Sequence, residues 1–154
     1  MPLRALVRRL GKTVFLSRIG PVLVPLDRVV SRATRGRVVA LGLIPSALLT
    51  TTGRRSGQPR DSPLLCLPDG DAFLVVGSNW GQRHHPAWAL NLLAEPDAAL
   101  TLKGRRIAVR ARLLGGEERE RMWRRAVGVW PGYEDYLRRA GGRAIHLFLL
   151  EPRP

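Results

Sequence analysis

From Ser46 onward the chain is a succession of short apolar runs separated by glycine- and proline-containing turns. Six runs have the length and composition of β-strands: residues 47–52, 61–67, 72–77, 98–102, 106–113 and 145–150. Several are joined by turns of a few residues, which pair strands antiparallel. Helical patterns lie between them at residues 86–94, 117–127 and 133–139. The rhythm predicts an α+β domain over residues 46–154, a small antiparallel barrel with helices packed on it.

Residues 1–45 differ in character and are predicted to form a basic N-terminal arm. They hold nine of the 26 basic residues of the chain and one acid, Asp27. On a helix, one narrow arc would carry the apolar side chains Leu3, Leu6, Val7, Leu10 and Val14. The opposite side would carry the basic side chains Arg4, Arg8, Arg9 and Lys12. Such a helix binds an anionic membrane surface or docks on its own domain with a solvated basic face, and the pattern leaves both open.

Charge and cysteine usage narrow the class of protein. The net charge of +14 comes almost entirely from arginine, and it leaves a polyanion, an anionic membrane face or an acidic ligand open as partners. The longest uncharged run, residues 38–53, is shorter than the roughly 20 residues of a membrane span and contains Pro45. The lone Cys66 cannot form an internal disulfide. We therefore expect a cytoplasmic protein, peripheral on the inner face of the cell membrane if the arm binds lipid.

Several kinds of site are not indicated by the sequence. The three histidines and Cys66 have no recognised metal-ligand spacing, so no metal is predicted. No serine lies in a nucleophile elbow, no phosphate loop ends in Gly-Lys-Ser/Thr, and no carboxylates are paired for acid–base chemistry. No nucleic-acid-binding motif is found. If the protein is an enzyme, a cofactor carries the chemistry.

The turn over residues 50–60 is a candidate anion site. Gly53 and Gly57 allow the backbone to expose N–H groups, and Arg54, Arg55 and Arg60 bring positive charge beside them. This combination is typical of a cradle for phosphate or several carboxylates. An ordinary polar hairpin in an arginine-rich protein has the same composition, so the residues alone leave both interpretations open.

Two further segments carry candidate site residues. The loop over residues 78–81 precedes a helix in which Trp88 and Asn91 are spaced to hold a flat heteroaromatic ring, although a lone tryptophan such as Trp88 more commonly belongs to the core. Near the end of the chain, Tyr133 and Tyr136 project from one face of a helix, which fits either a pocket wall or a half-buried pair.

In this order the motifs resemble the deazaflavin-dependent nitroreductase family, which includes the F420H2-dependent quinone reductases of actinobacteria. The resemblance extends over residues 46–152. It rests on Thr51-Thr52-Gly53-Arg54-Arg55-Ser56-Gly57-x-x-Arg60 with Pro63-Leu64, on Ser78-Asn79, on His85-Pro86-x-Trp88-x-x-Asn91-Leu92, and on Pro131-Gly132-Tyr133-x-x-Tyr136. It implies a split β-barrel of the FMN-binding type that uses coenzyme F420.

The resemblance also implies a role for each segment. The phosphate and polyglutamate tail would be held by Arg54, Arg55, Ser56 and Arg60. The deazaflavin ring would be lined by Asp61, Ser62, Pro63, Leu64, Leu65, Val76, Gly77, Ser78, Asn79, Ala87, Trp88, Ala89, Leu90 and Asn91, with Tyr133 closing the pocket. The residues expected to act on the acceptor are Tyr133, Ser78 and Tyr136. The chain departs from the family pattern at Asp61, Trp80 and Trp130.

The implied reaction transfers a hydride from reduced F420 to a quinone or a similar electron-poor acceptor, nitroaromatics included. Two alternatives remain at this stage. One is an FMN-binding reductase of the same barrel, and the other is a non-catalytic basic protein at a membrane surface. The sequence predicts neither the physiological acceptor nor the oligomeric state.

Overall fold

A computed structural model describes residues 46–154, so the predicted arm over residues 1–45 and its amphipathic helix lie outside the described residues. Within this range the order of elements is β1 (Ser46–Thr52), β2 (Pro59–Leu65), β3 (Leu67–Asp69), β4 (Ala72–Val76), α1 (Ala87–Ala94), β5 (Asp97–Leu102), β6 (Arg105–Leu113), α2 (Gly116–Val129), α3 (Gly132–Arg139) and β7 (Leu147–Pro152). None of these helices is long and apolar enough to cross a bilayer.

The seven described strands form one antiparallel sheet in the order β2-β1-β5-β6-β7-β4-β3. The two edge strands, β2 and β3, follow each other in the chain with only Cys66 between them. The sheet must therefore curl until its edges approach at one end, which makes it a half-barrel. This confirms the predicted antiparallel split barrel with packed helices.

Strands β4 and β7 are buried on both faces. Leu74 and Leu149 point to a core cluster shared with α2 and α3. Val75 and Phe148 point to the second cluster, which α1 shares with the interior of the half-barrel. Alternation along paired strands produces this division, because successive side chains project from opposite faces. The pair β4–β7 is thus the wall between the two cores.

The structure differs from the predicted elements at β3. The sequence predicts one strand over residues 61–67, whereas in the structure β2 ends at Leu65 and the separate strand Leu67–Asp69 pairs with Ala72–Leu74 around Gly70, whose φ is +59°. A strand of three residues that contains proline has no periodicity to recognise, and Pro68 is tolerated because β3 is an edge strand. The last strand begins at Leu147, two residues later than predicted. The three predicted helices are confirmed, with ends shifted by one or two residues.

The two-sided burial of β4 predicts a large effect of truncating Leu74, which has no exposed surface. We expect Leu74→Ala to lower the free energy of unfolding by about 2–5 kcal/mol, because it leaves a cavity between strand and helices. The matched control is Leu113→Ala at a leucine that is 46% exposed, where we expect a change within about 0.5 kcal/mol. Urea unfolding of both variants measures this, and equal losses would contradict the assignment of the core.

Candidate functional site

The arginine-rich turn between β1 and β2 is built around two glycines. The Gly53 N–H donates to the Gln58 carbonyl at 2.8 Å, and the Gly57 N–H donates to the Gly53 carbonyl at 2.8 Å. Gly57 has φ +69°, in the left-handed region that favours glycine. A Cβ on Gly53 would lie 2.6 Å from Ser56 Oγ and 3.2 Å from the Gln58 carbonyl. Both glycines are needed for a turn this tight.

Three arginine side chains are presented by this turn and the start of β2. Arg54, Arg55 and Arg60 are exposed, and among residues 46–154 none of them is paired with a carboxylate. The Arg60 Nη2 donates to Ser56 Oγ at 3.3 Å, which bends its guanidinium back over the turn. Uncompensated cations gathered on a glycine turn favour an anionic ligand such as a phosphate or a carboxylate.

Asn91 of α1 joins this turn to the helix. Its Oδ1 accepts hydrogen bonds from the Arg54 backbone N–H at 3.1 Å and from Arg54 Nη1 at 3.4 Å. Its Nδ2 donates to Thr51 Oγ1 at 3.0 Å, and the side chain is buried. The sequence places Asn91 beside a ring, whereas in the structure its amide is committed to holding Arg54.

Asp61 is the acid that departs from the family pattern near the expected phosphate. Its Oδ1 accepts a hydrogen bond from Thr50 Oγ1 at 2.6 Å, across a register in which the two residues are direct partners. Because neighbouring residues of a strand point to opposite faces, Asp61 projects away from the side of Arg60. The carboxylate therefore does not lie beside the Arg60 side chain.

A groove of about 530 Å³ lies on the outer face of β1, β5 and β6, next to the turn. Its small lining residues include Thr50, Thr52, Gly57, Pro59, Ala99 and Ala108. Charged side chains also line it, and Arg153 pairs there with Asp97 at 3.3 Å while Arg106 lies alongside. The sequence did not predict this groove because it forms from small residues on strands that are distant in the chain.

The second candidate segment follows β4 and lies against α1. The Gly77 N–H donates to the His146 carbonyl at 2.8 Å, which extends the β4–β7 ladder by one bond. A Cβ on Gly77 would lie 3.2 Å from that carbonyl and 3.6 Å from the Ala89 Cβ. The backbone of this loop thus approaches the first turn of α1 closely, and Ser78 is buried beside it.

The loop continues in a left-handed conformation. Asn79 and Trp80 have φ values of +48° and +58°, which costs about 1–3 kcal/mol for each residue. The Asn79 Nδ2 compensates in part by donating to the His84 carbonyl at 3.0 Å. Gly81 has φ +79°, and a Cβ there would lie only 2.9 Å from the Tyr136 Cα. The loop is strained and packs directly on α3.

The tyrosine pair is more deeply buried than a pocket mouth requires. Tyr133 and Tyr136 are 5% and 1% exposed, and their ring centroids lie 6.2 Å apart. Trp80 contacts the Tyr136 ring edge-on at 6.0 Å. Burial raises the pKa of Tyr133 and also that of Tyr136, for which the nearby Trp130 and Arg139 offset the effect only in part. Both phenols therefore remain protonated at neutral pH.

The Tyr136 hydroxyl is buried, and although the Trp130 indole N–H lies close enough to lower its pKa, no residue among 46–154 accepts a hydrogen bond from the hydroxyl. A buried polar group that lacks a partner costs about 1–3 kcal/mol, so each one calls for an explanation. The hydroxyl keeps its proton, and this donor is unused among the described residues.

Other predicted site residues belong to the cores. Val76, Trp88 and Ala89 are buried, and Trp88 packs on Phe148 with a centroid distance of 6.1 Å. This contact favours the packing alternative for Trp88, and such residues can offer a ligand mainly their backbone. The remaining predicted residues keep some accessible surface: Ser62, Pro63, Leu64 and Leu65 on the edge strand β2, and Ala87 and Leu90 on α1.

The structure brings the three sequence motifs into one continuous set of contacts. The arginine turn meets α1 through Asn91, α1 meets the loop after β4 through Gly77, and the loop meets the tyrosine helix through Trp80. Arg143, which belongs to none of the sequence motifs, also hydrogen-bonds to this loop. No spacing rule points to it, because its partners lie 58 or more residues away in the chain.

The role found for Asn91 predicts a local effect of its loss. In Asn91→Leu, the Arg54 N–H and the Thr51 hydroxyl lose their partner, which lowers the free energy of unfolding by about 2–4 kcal/mol. Hydrogen exchange of the Arg54 amide accelerates before that of the strands. Leu93→Ala is the control on the same helix, at a side chain that is 46% exposed. An unchanged Arg54 exchange rate in Asn91→Leu would refute the link.

Comparison with known proteins places the chain among a defined set of relatives. The family profile described as F420H(2)-dependent quinone reductase matches residues 26–152. The F420H(2)-dependent quinone reductase Rv1261c of Mycobacterium tuberculosis is 38% identical over 96 residues, which are 61% of this chain and 64% of the relative. The chain thus spans less than two thirds of that relative's length.

Solved structures give the same picture at the level of the fold. An F420-H2 dependent reductase superposes with a TM-score of 0.64 at 35% identity, covering 70% of this chain and 94% of the other. A Listeria innocua protein assigned as a pyridoxamine 5′-phosphate oxidase superposes with a TM-score of 0.51 at 15% identity, over 71% of this chain and 85% of the other, and shares the fold alone. Because the family profile matches residues 26–152, which is most of the chain, the chain belongs to the F420H(2)-dependent quinone reductase family.

Proposed function

We propose that this protein is a reductase that uses reduced coenzyme F420 to transfer a hydride to a quinone or a similar electron-poor acceptor. The observation that carries the proposal is the arginine turn, in which Arg54, Arg55 and Arg60 have no carboxylate partner within residues 46–154. F420 carries a phosphate and a polyglutamate tail, and these anions match that turn. Membership of the family supports the same coenzyme.

The residues present fit such a coenzyme in chemistry as well as in charge. The turn offers guanidinium donors for the phosphate and carboxylates, held in place by the bond between Arg54 and Asn91. The backbone of residues 76–79, which lies against α1, would hold the ring. The edge strand β2 would cover it with the half-buried Pro63 and Leu64. The turn would thus bind the anionic end of the coenzyme, and the other two segments would bind its ring. Trp88 would support α1 from within the core.

When bound, the reduced deazaflavin supplies a hydride from a ring carbon. The protein must bring the acceptor alongside, exclude competing reactions and stabilise the negative charge that develops on the acceptor oxygen. No acid–base dyad is needed for these tasks, in agreement with the absence of one from the sequence. The charge can be stabilised by hydroxyl groups that face the acceptor.

The buried phenols are suited to donate hydrogen bonds rather than to release protons. A raised pKa makes a phenol a weaker acid, so Tyr133 and Tyr136 stay neutral while the acceptor oxygen becomes negative. The O–H of Tyr136 is unused as a donor, because no described residue accepts a hydrogen bond from it. Ser78 lies on the loop that contacts α3 and adds a second hydroxyl. The proton itself would then come from water.

Coenzyme choice separates this proposal from its rivals. We expect the protein to bind F420 more tightly than FMN. The affinity for F420 should fall as the salt concentration rises, because ions screen the positive charge of the turn. Arg60→Ala removes a charge-assisted bond worth about 1.5–3 kcal/mol, so the dissociation constant for F420 rises by about 10-fold to 150-fold. Arg121→Ala on α2 is the control with the same loss of charge. Fluorescence titration of the full chain with F420 and with FMN measures both.

Tight FMN binding without F420 binding would indicate a flavin reductase of the same barrel. Binding of neither would favour a non-catalytic basic protein. Equal effects of the two arginine substitutions would mean that only overall charge matters.

Because no described residue accepts a hydrogen bond from the Tyr136 hydroxyl, we expect Tyr136→Phe to affect stability and turnover in opposite directions. Removing a buried hydroxyl whose donor is unused raises the free energy of unfolding by about 1 kcal/mol. If the hydroxyl stabilises the acceptor, turnover falls by about 10²-fold or more while coenzyme affinity is unchanged. Steady-state rates with a benzoquinone and thermal unfolding measure the two effects, and Tyr133→Phe is the companion variant. Unchanged turnover in both would reduce the tyrosines to a pocket wall.

A further inference from the structure

Arg143 makes more hydrogen bonds than any other side chain in the described part of the chain. Its Nε and Nη2 both donate to the Gln82 carbonyl, at 3.1 and 3.0 Å. Nη2 also donates to the Ser78 carbonyl at 2.8 Å, and Nη1 donates to the Gly77 carbonyl at 3.2 Å and to His85 Nδ1 at 3.2 Å. A guanidinium has five N–H groups, so every donor of Arg143 has a partner.

The position of Arg143 is set by the connection between α3 and β7. Gly141 and Gly142 precede it with φ values of +66° and +87°, which turn the chain from the end of the helix back toward the loop after β4. Arg143 is partly buried, and among residues 46–154 no carboxylate is paired with it. Its charge is therefore compensated by carbonyl dipoles of one loop.

The carbonyls that Arg143 binds flank the strained part of that loop. Gly77 and Ser78 precede the left-handed residues Asn79 and Trp80, and Gln82 follows Gly81. A side chain that holds both ends of a left-handed turn supplies the external restraint that such a conformation requires. The positive φ values and the five hydrogen bonds are independent observations, and both concern the same segment, residues 77–85.

Arg143 also fixes the protonation of a stacked histidine pair. A guanidinium can only donate, so His85 must accept at Nδ1 and carry its proton on Nε2. The ring of His146 stacks on His85 at 4.5 Å with an interplanar angle of 9°. Burial, the partner histidine and Arg143 lower the pKa of His85, and burial with Arg143 lowers that of His146. Both rings remain neutral beside the guanidinium.

We infer that Arg143 is a positioning residue for the coenzyme and acceptor site: it holds the loop over residues 77–85 in its left-handed form, with Ser78 and the backbone of residues 76–79 presented toward the ring. The part of this inference that concerns the coenzyme rests on the proposed function. The restraint on the loop and the tautomer of His85 stand without it, and they can be measured without coenzyme.

The test compares Arg143→Lys and Arg143→Met with the same substitutions at Arg138, which is exposed on α3. Lysine keeps the charge but has three donors on one nitrogen, so it cannot serve three carbonyls and an imidazole together. We expect hydrogen exchange of residues 77–85 to accelerate about 10-fold or more in both Arg143 variants, while exchange in β4 and β7 changes little. Uniform acceleration across the domain would overturn the inference and leave Arg143 a general stabilising residue.

The second measurement is the F420 dissociation constant with kcat and kcat/KM. A misplaced loop raises the dissociation constant and lowers kcat/KM by about 10-fold to 100-fold, whereas the Arg138 variants match the unsubstituted chain. Unchanged binding and rates in a variant with accelerated loop exchange would overturn the positioning role. If the unsubstituted chain binds no F420, the proposed function fails, and loop exchange still decides whether Arg143 restrains the loop.

The third measurement needs no variant and so is independent of folding defects. Nitrogen-15 NMR of the full chain at neutral pH reports the imidazole tautomers directly. We expect His85 to be neutral with a bare Nδ1 and a proton on Nε2. A proton on Nδ1 would break the bond to Arg143 and overturn the inference.

Discussion

Burial of β4 and β7 on both faces is the constraint on which the rest of the structure depends. Val75 and Phe148 fill one core while Leu74 and Leu149 fill the other, so this pair of strands cannot shift without opening both. The candidate site begins where the pair ends, at the bond between the Gly77 N–H and the His146 carbonyl. The loop that carries Ser78 is thereby anchored to a pair of strands buried on both faces, while its own conformation is strained.

Local signals in the sequence predict much of this arrangement. The glycines and prolines around residues 53–59 mark the arginine turn, and Pro86 and Pro96 bracket α1, because these residues act on the backbone where they stand. The spacing of Tyr133 and Tyr136 predicts that they share a helix face, and their rings are in contact. The short strand β3 was missed since three residues are too few to show a period.

Long-range contacts could not be predicted in the same way. Nothing near Asn91 in the chain indicates that it holds Arg54, and nothing near Arg143 indicates five hydrogen bonds to another loop. These two cases also show why arginine content alone is a poor guide. The exposed arginines of the turn keep most of their donors free for a ligand, whereas Arg143 uses every donor on three carbonyls and the His85 ring. Only the fold distinguishes the two uses.

We expect the arginine turn and the loop after β4 to hold the two ends of one coenzyme. A crystal structure of the full chain with F420 would show this directly. The phosphate should lie within hydrogen-bond distance of Arg54, Arg55 or Arg60, and the deazaflavin ring should lie against residues 76–79. Density for the ring in the outer groove of β1, β5 and β6, or a tail that does not contact the turn, would contradict this expectation.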